Sequence, residues 1–105
     1  MGWIYLLTAG LFEIAFTTAL RYVDGFTRVW PTALFLASML LSLVFVERAV
    51  RDIPLGTAYA VWTGIGAGGT TLIGALYYGE PLTLWRLLFI VTLIGSIIGL
   101  KIVSD

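Results

Sequence analysis

The sequence predicts an all-α integral membrane protein of four transmembrane helices, and three observations carry that prediction. The first is composition. Sixty per cent of the 105 residues are hydrophobic and 11% are charged, where a soluble domain carries about a quarter of its residues as charges; the mean hydropathy is +1.02. The second is that the charges are sorted by position. Apart from Glu13 they fall in the clusters Arg21/Asp24/Arg28, Glu47/Arg48/Arg51/Asp52 and Glu80/Arg86, and in a tail with Lys101 and Asp105. The third is the apolar stretches left between those clusters. Strands explain them poorly, because nothing alternates with a period of two and a membrane barrel needs at least about eight strands.

Taken in order, the spans run over about 2–21, 29–47, 54–78 and 84–102, within one domain covering residues 1–105. Each is near or above the roughly 17–25 helical residues that cross about 30 Å of hydrocarbon. The first span lacks a basic leading region and a small-x-small cleavage site, and it carries a carboxylate at its centre, so it reads as mature structure rather than a signal peptide. The second contains Ser38 and Ser42, the third a glycine-rich run, and the fourth a GxxxG at Gly95 and Gly99. Loops of about 4–9 residues leave no separate soluble domain, so function lies within the membrane.

Several classes of function drop out. There is no cysteine and no histidine, which removes thiolate chemistry and the commonest metal ligand; no metal and no cofactor are expected. Zero net charge without a basic block gives no footprint for nucleic acid. An enzyme is not expected either, with one membrane-embedded carboxyl, no nucleophile–base pair and no metal set. Counting Lys and Arg around the spans sets Arg48, Arg51 and Lys101 on one side against Arg21, Arg28 and Arg86 on the other. This balance has two readings. Either so small a count carries no topological signal, or the chain inserts both ways and pairs antiparallel with itself. Four short helices do not easily enclose a polar path sealed from lipid, which makes self-association the default. Transporters commonly place their sites between inverted repeats.

Glu13 is the strongest single signal. It lies midway along the first span, where insertion of an acidic residue costs about 2.5–3.5 kcal/mol, and Gly10 and Thr17 share its face at i−3 and i+4. A structural role would be one interhelical hydrogen bond from a neutral acid, a task more often given to Asn, Gln, Ser or Thr. An intramembrane carboxyl is by default a functional candidate. Removal from water penalises its charged form, and a second carboxyl across a two-fold axis penalises it further. Such a group can hold a proton or a cation, and competition between them couples their movements.

In the third span Tyr59, Trp62, Thr63 and Gly66 share a face at i, i+3, i+4 and i+7. Trp62 lies about 12 Å along the helix from Pro54, too deep for an easy interfacial anchor, and its ring face suits a cation. The run Gly64-Ile65-Gly66-Ala67-Gly68-Gly69 has neither the lysine nor the preceding strand of a phosphate loop. It reads either as tight helix packing or as a hinge. Gly64, Gly66, Gly68, Gly95 and Gly99 are the candidate dimer or hinge glycines. Ser38 and Ser42, at i and i+4, either reach Glu13 or bond back to their own helix.

Glu13 together with "GFTRVWP" at 25–31, "PLGTAYAVWTGIG" at 54–66 and "GEPLTLWRL" at 79–87 resembles the small multidrug resistance transporters over essentially the whole chain. The resemblance implies a four-helix protomer of an antiparallel, dual-topology homodimer in the bacterial inner membrane. Its partners would be the lipid bilayer, protons and small cationic substrates, and its membrane-embedded glutamate would bind protons and substrate alternately. Glu13, Tyr59 and Trp62 then fall at the family's site, and Ser42 falls where the guanidinium-exporting branch has a site serine. Thr57, Thr63, Gly66-Ala67, Glu80-Pro81-Leu82-Thr83 and Gly99-Leu100-Lys101 are similar to that branch. Phe16 departs from it, since tryptophan is usual there and phenylalanine has no indole N–H to orient Glu13. "TTALRY" at 17–22 resembles the quaternary-ammonium branch instead. The expectation is a proton-coupled antiporter of guanidinium and substituted guanidinium compounds, with Phe16, Thr17, Gly10, Thr63 and Ser38 as further pocket-lining candidates. The competing readings are a multidrug exporter of quaternary ammonium and aromatic cations, and one subunit of a heterodimeric transporter.

Overall fold

The computed structural model describes residues 1–104, which form four α-helices in chain order: α1 (Gly2–Leu20), α2 (Val29–Ala49), α3 (Leu55–Tyr77) and α4 (Leu84–Ser104). Asp105, one of the tail charges, lies outside the described residues. The helix ends follow from local chemistry. Arg28 is extended at the start of α2, and Pro31 sits in the first turn, where its missing N–H breaks no helical bond. At the end of α3, Gly79 takes φ +68° and lets the Glu80 N–H return 3.1 Å to the Gly74 carbonyl. Pro81 follows, and α4 starts on Thr83, whose hydroxyl accepts from the Arg86 N–H at 3.2 Å.

The helices stand side by side in the order α2–α1–α3–α4. Helix α1 packs on α2 and α3, whereas the backbone of α4 approaches α3 alone. The Cα envelope measures 43 × 35 × 16 Å, the shape of a slab, since four helices in a row at 8–10 Å spacing span about 30 Å. Buried apolar side chains are few: the central cluster is Leu6, Ala49, Ile53, Ala58 and Val61. Thirty large hydrophobic side chains are exposed among the described residues, far beyond what water tolerates in one patch. That surface is made for hydrocarbon. Helices α1, α2 and α4 are long and apolar enough to cross a membrane. Helix α3 has the length but is less apolar, because glycine and threonine take much of its sequence. Like α1, it is flanked on both sides, here by α1 and α4.

The glycines of α3 explain how those neighbours come close. A Cβ on Gly64 would meet Ile97 and Leu93 of α4, and one on Gly69 would run into Ile14 of α1. From the other side, a Cβ on Gly10 would meet Ile65 at 2.6 Å. The glycine run therefore seats two helices at once along an uninterrupted α3. Gly95 and Gly99 have nothing within 4 Å of a Cβ; the GxxxG of α4 faces outward from the protomer.

Candidate functional site

Glu13 projects from the middle of α1 into the seam with α3. The absent side chain of Gly66 makes its room: a Cβ there would collide with the Glu13 carboxyl. The carboxyl oxygen Oε2 is buried with no hydrogen-bond partner. Leaving a polar atom buried and unpaired costs on the order of 1–3 kcal/mol, more for a charge, and the side chains around Glu13 do not meet that cost. Around it opens a cavity lined by Thr17, Thr63, Gly66, Ala67, Thr70 and Thr71. Thr17 donates to the Glu13 carbonyl at 2.9 Å and shares a 2.6 Å hydrogen bond with Thr70 across the seam. A hydroxyl has one proton, so with Thr17 donating to its own helix, Thr70 is the donor to Thr17.

One turn before Glu13 a second set of bonds ties three helices together. The Trp62 indole Nε1–H donates to Ser42 Oγ at 2.8 Å, and Ser42, fully buried, donates to the Ala9 carbonyl at 2.7 Å. Of the two partners considered for Ser42, the carboxyl of Glu13 and its own helix, it uses neither. It fixes the α1 backbone four residues from Glu13. Tyr59 is 60% exposed and packs edge-on to Trp62, with ring centroids 6.2 Å apart. Both rings line a largely apolar hollow with Leu43, Val46 and Leu55.

The candidates thus divide. Glu13, Thr17, Thr63 and Gly66 share one cavity, with Trp62 and Ser42 bracing α1 beside it. Phe16 packs on Phe35 at 5.8 Å and Gly10 on Ile65, while Ser38 stays half-buried on α2, outside these bonds. Thr70 and Thr71 went unnoticed in the sequence. The signal was there for Thr70, which continues the Tyr59–Trp62–Thr63–Gly66 face at the next helical step, four residues on from Gly66. Among the described residues no three acidic side chains come together to hold a metal.

Long apolar helices and a slab with little core define a multi-pass membrane protein, with one carboxyl buried between its helices. Comparison with known proteins narrows this. Residues 1–94 match the family described as Small Multidrug Resistance protein. A protein of Proteus vulgaris named guanidinium exporter is 43% identical over 104 residues, covering 99% of this chain and all of that one. Proteins of the same name from Citrobacter freundii and Salmonella typhimurium are 46% identical over 102 residues, 97% of each chain. The chain belongs to the small multidrug resistance family. Its relatives are exporters, and it is not an enzyme.

Proposed function

We propose that this protein exports guanidinium and substituted guanidinium compounds across the bacterial inner membrane in exchange for protons. It acts as an antiparallel homodimer in which the two Glu13 carboxyls face one alternating-access site. The names of its relatives support the substrate class. The observation that carries the coupling is the buried Glu13 oxygen with no donor, opening on a hydroxyl-lined cavity. A planar guanidinium offers N–H groups in the fork that a carboxylate accepts. The remaining N–H groups have Thr63, Thr70 and Thr71 oxygens within the same cavity. Quaternary ammonium ions have no N–H to give, and among the described residues no aromatic side chain lines this cavity to receive them; the observations favour guanidinium over that alternative. The slab form supports pairing, because in one protomer the Glu13 cavity is open rather than enclosed. Proton and cation then compete for one carboxyl, and neither crosses without the other leaving.

Uptake into proteoliposomes under a pH gradient tests this. Wild-type protein is expected to accumulate guanidinium, and Glu13→Gln is expected to remain folded and dimeric while losing gradient-driven uptake. Undiminished transport by that variant would dispose of the proposal.

A further inference from the structure

We infer that a second cavity, bordered by the Thr17–Thr70 pair, is an outer loading subsite for a guanidinium-class cation, where the guanidinium of Arg21 rests on the aromatic face that such a cation would use. The inference rests on the transport reading above and extends it to residues outside the Glu13 cavity. This space of about 100 Å³ is bounded by Thr18 and Arg21 at the end of α1, Gly74 in the last turn of α3, and Tyr78 and Glu80 just after it. Thr17 and Thr70 line it too, and the same two residues line the Glu13 cavity. One hydrogen-bonded pair of hydroxyls therefore borders both spaces.

Three observations give the subsite its chemistry. The Arg21 guanidinium lies 3.9 Å from the centroid of the Tyr78 ring, so a planar cation already rests on this aromatic face. That ring is held in place, its hydroxyl accepting a hydrogen bond from the Tyr22 hydroxyl. Glu80 folds its carboxylate over Gly74, where a Cβ would meet it; among the described residues the salt bridge is Glu47–Arg51, and Glu80 makes none. Finally, Thr18 Oγ1 is buried without a partner. An aromatic face, a carboxylate and a free hydroxyl oxygen are what a planar N–H-bearing cation needs. Arg21 is tethered, and it reaches the ring without pairing with Glu80, so it competes with an incoming guanidinium for the ring. In an antiparallel pair, one such cavity opens at each membrane face.

Competition gives opposite signs for two substitutions, which a structural role would not. Initial rates of guanidinium uptake are measured in proteoliposomes against substrate concentration, at low and at high salt, the latter to screen long-range surface potential. Glu80→Gln is expected to raise KM by about two- to five-fold, the scale of one exposed charge contact, with kcat near wild type. Arg21→Gln is expected to lower KM. Arg21→Lys replaces the stacked fork by a more strongly hydrated ammonium and lowers KM as well, which serves if the glutamine variant is not recovered. A KM unchanged in Glu80→Gln, or raised in the Arg21 variants, would overturn the subsite. Either result leaves wild-type transport and its dependence on Glu13 untouched, so it is distinct from failure of the transport reading.

Discussion

Glu13 has a buried oxygen with no donor, and Gly66 is the residue that gives it room. A methyl group at position 66 must push the carboxyl out of the seam. Gly66→Ala is therefore expected to lower kcat/KM for guanidinium about tenfold or more, since small displacements of a reacting group are costly. Size-exclusion behaviour in detergent should stay that of wild type; full activity would show that the carboxyl does not work from this position. Ser42 is a bracing residue. Ser42→Ala leaves the Trp62 indole N–H without its acceptor and unties α2 from the Ala9 carbonyl. It is expected to cost about 1–3 kcal/mol, read as an earlier thermal transition, and an unshifted transition would contradict that role. Glu13 was legible in the sequence because a charge inside an apolar run has no cheap explanation. Thr70 was not. A threonine in an apolar helix bonds back to its own carbonyls by default, as Thr71 does to Ala67 at 2.7 Å, and only the partner across the seam sets Thr70 apart.

At the scale of the elements, α3 is the organising helix. The sequence left its glycine run open between packing and hinge, because glycine lowers the cost of both. The contacts of Gly64 and Gly69 with side chains of α4 and α1 supply the packing explanation residue by residue. The four-helix, all-α class was readable from where the charges stop, whereas the lateral order α2–α1–α3–α4 was not, because every helix is apolar on most of its circumference. The glycines make a contrast on one helix. Gly69→Ala drives a methyl into Ile14, and overpacking of this kind costs about 1–3 kcal/mol. Gly56, in the first turn of α3, has nothing within 4 Å, so Gly56→Ala is expected to stabilise by up to ~1 kcal/mol through helix propensity. Thermal melts of the two variants in one detergent compare them directly, and equal shifts would mean that α3 does not pack as described.

The whole molecule is a slab with a largely apolar surface, and its candidate site is an open cavity. The balance of Lys and Arg across the two ends left orientation undecided in the sequence, and the proposed pairing with a second copy would account for both the open cavity and that balance. The outward-facing Gly95 and Gly99 of α4 mark a place where close helix approach is still available. Gly95→Leu is expected to shift the detergent-solubilised protein towards monomer with its helix content intact. A dimer fraction equal to wild type would exclude this face from the pairing.

The most direct measurement is of protons released when guanidinium is added to purified, weakly buffered protein near neutral pH. Competition at Glu13 predicts release that saturates with binding and vanishes in Glu13→Gln. Saturable guanidinium binding with no proton release at any pH at which guanidinium binds would contradict the account.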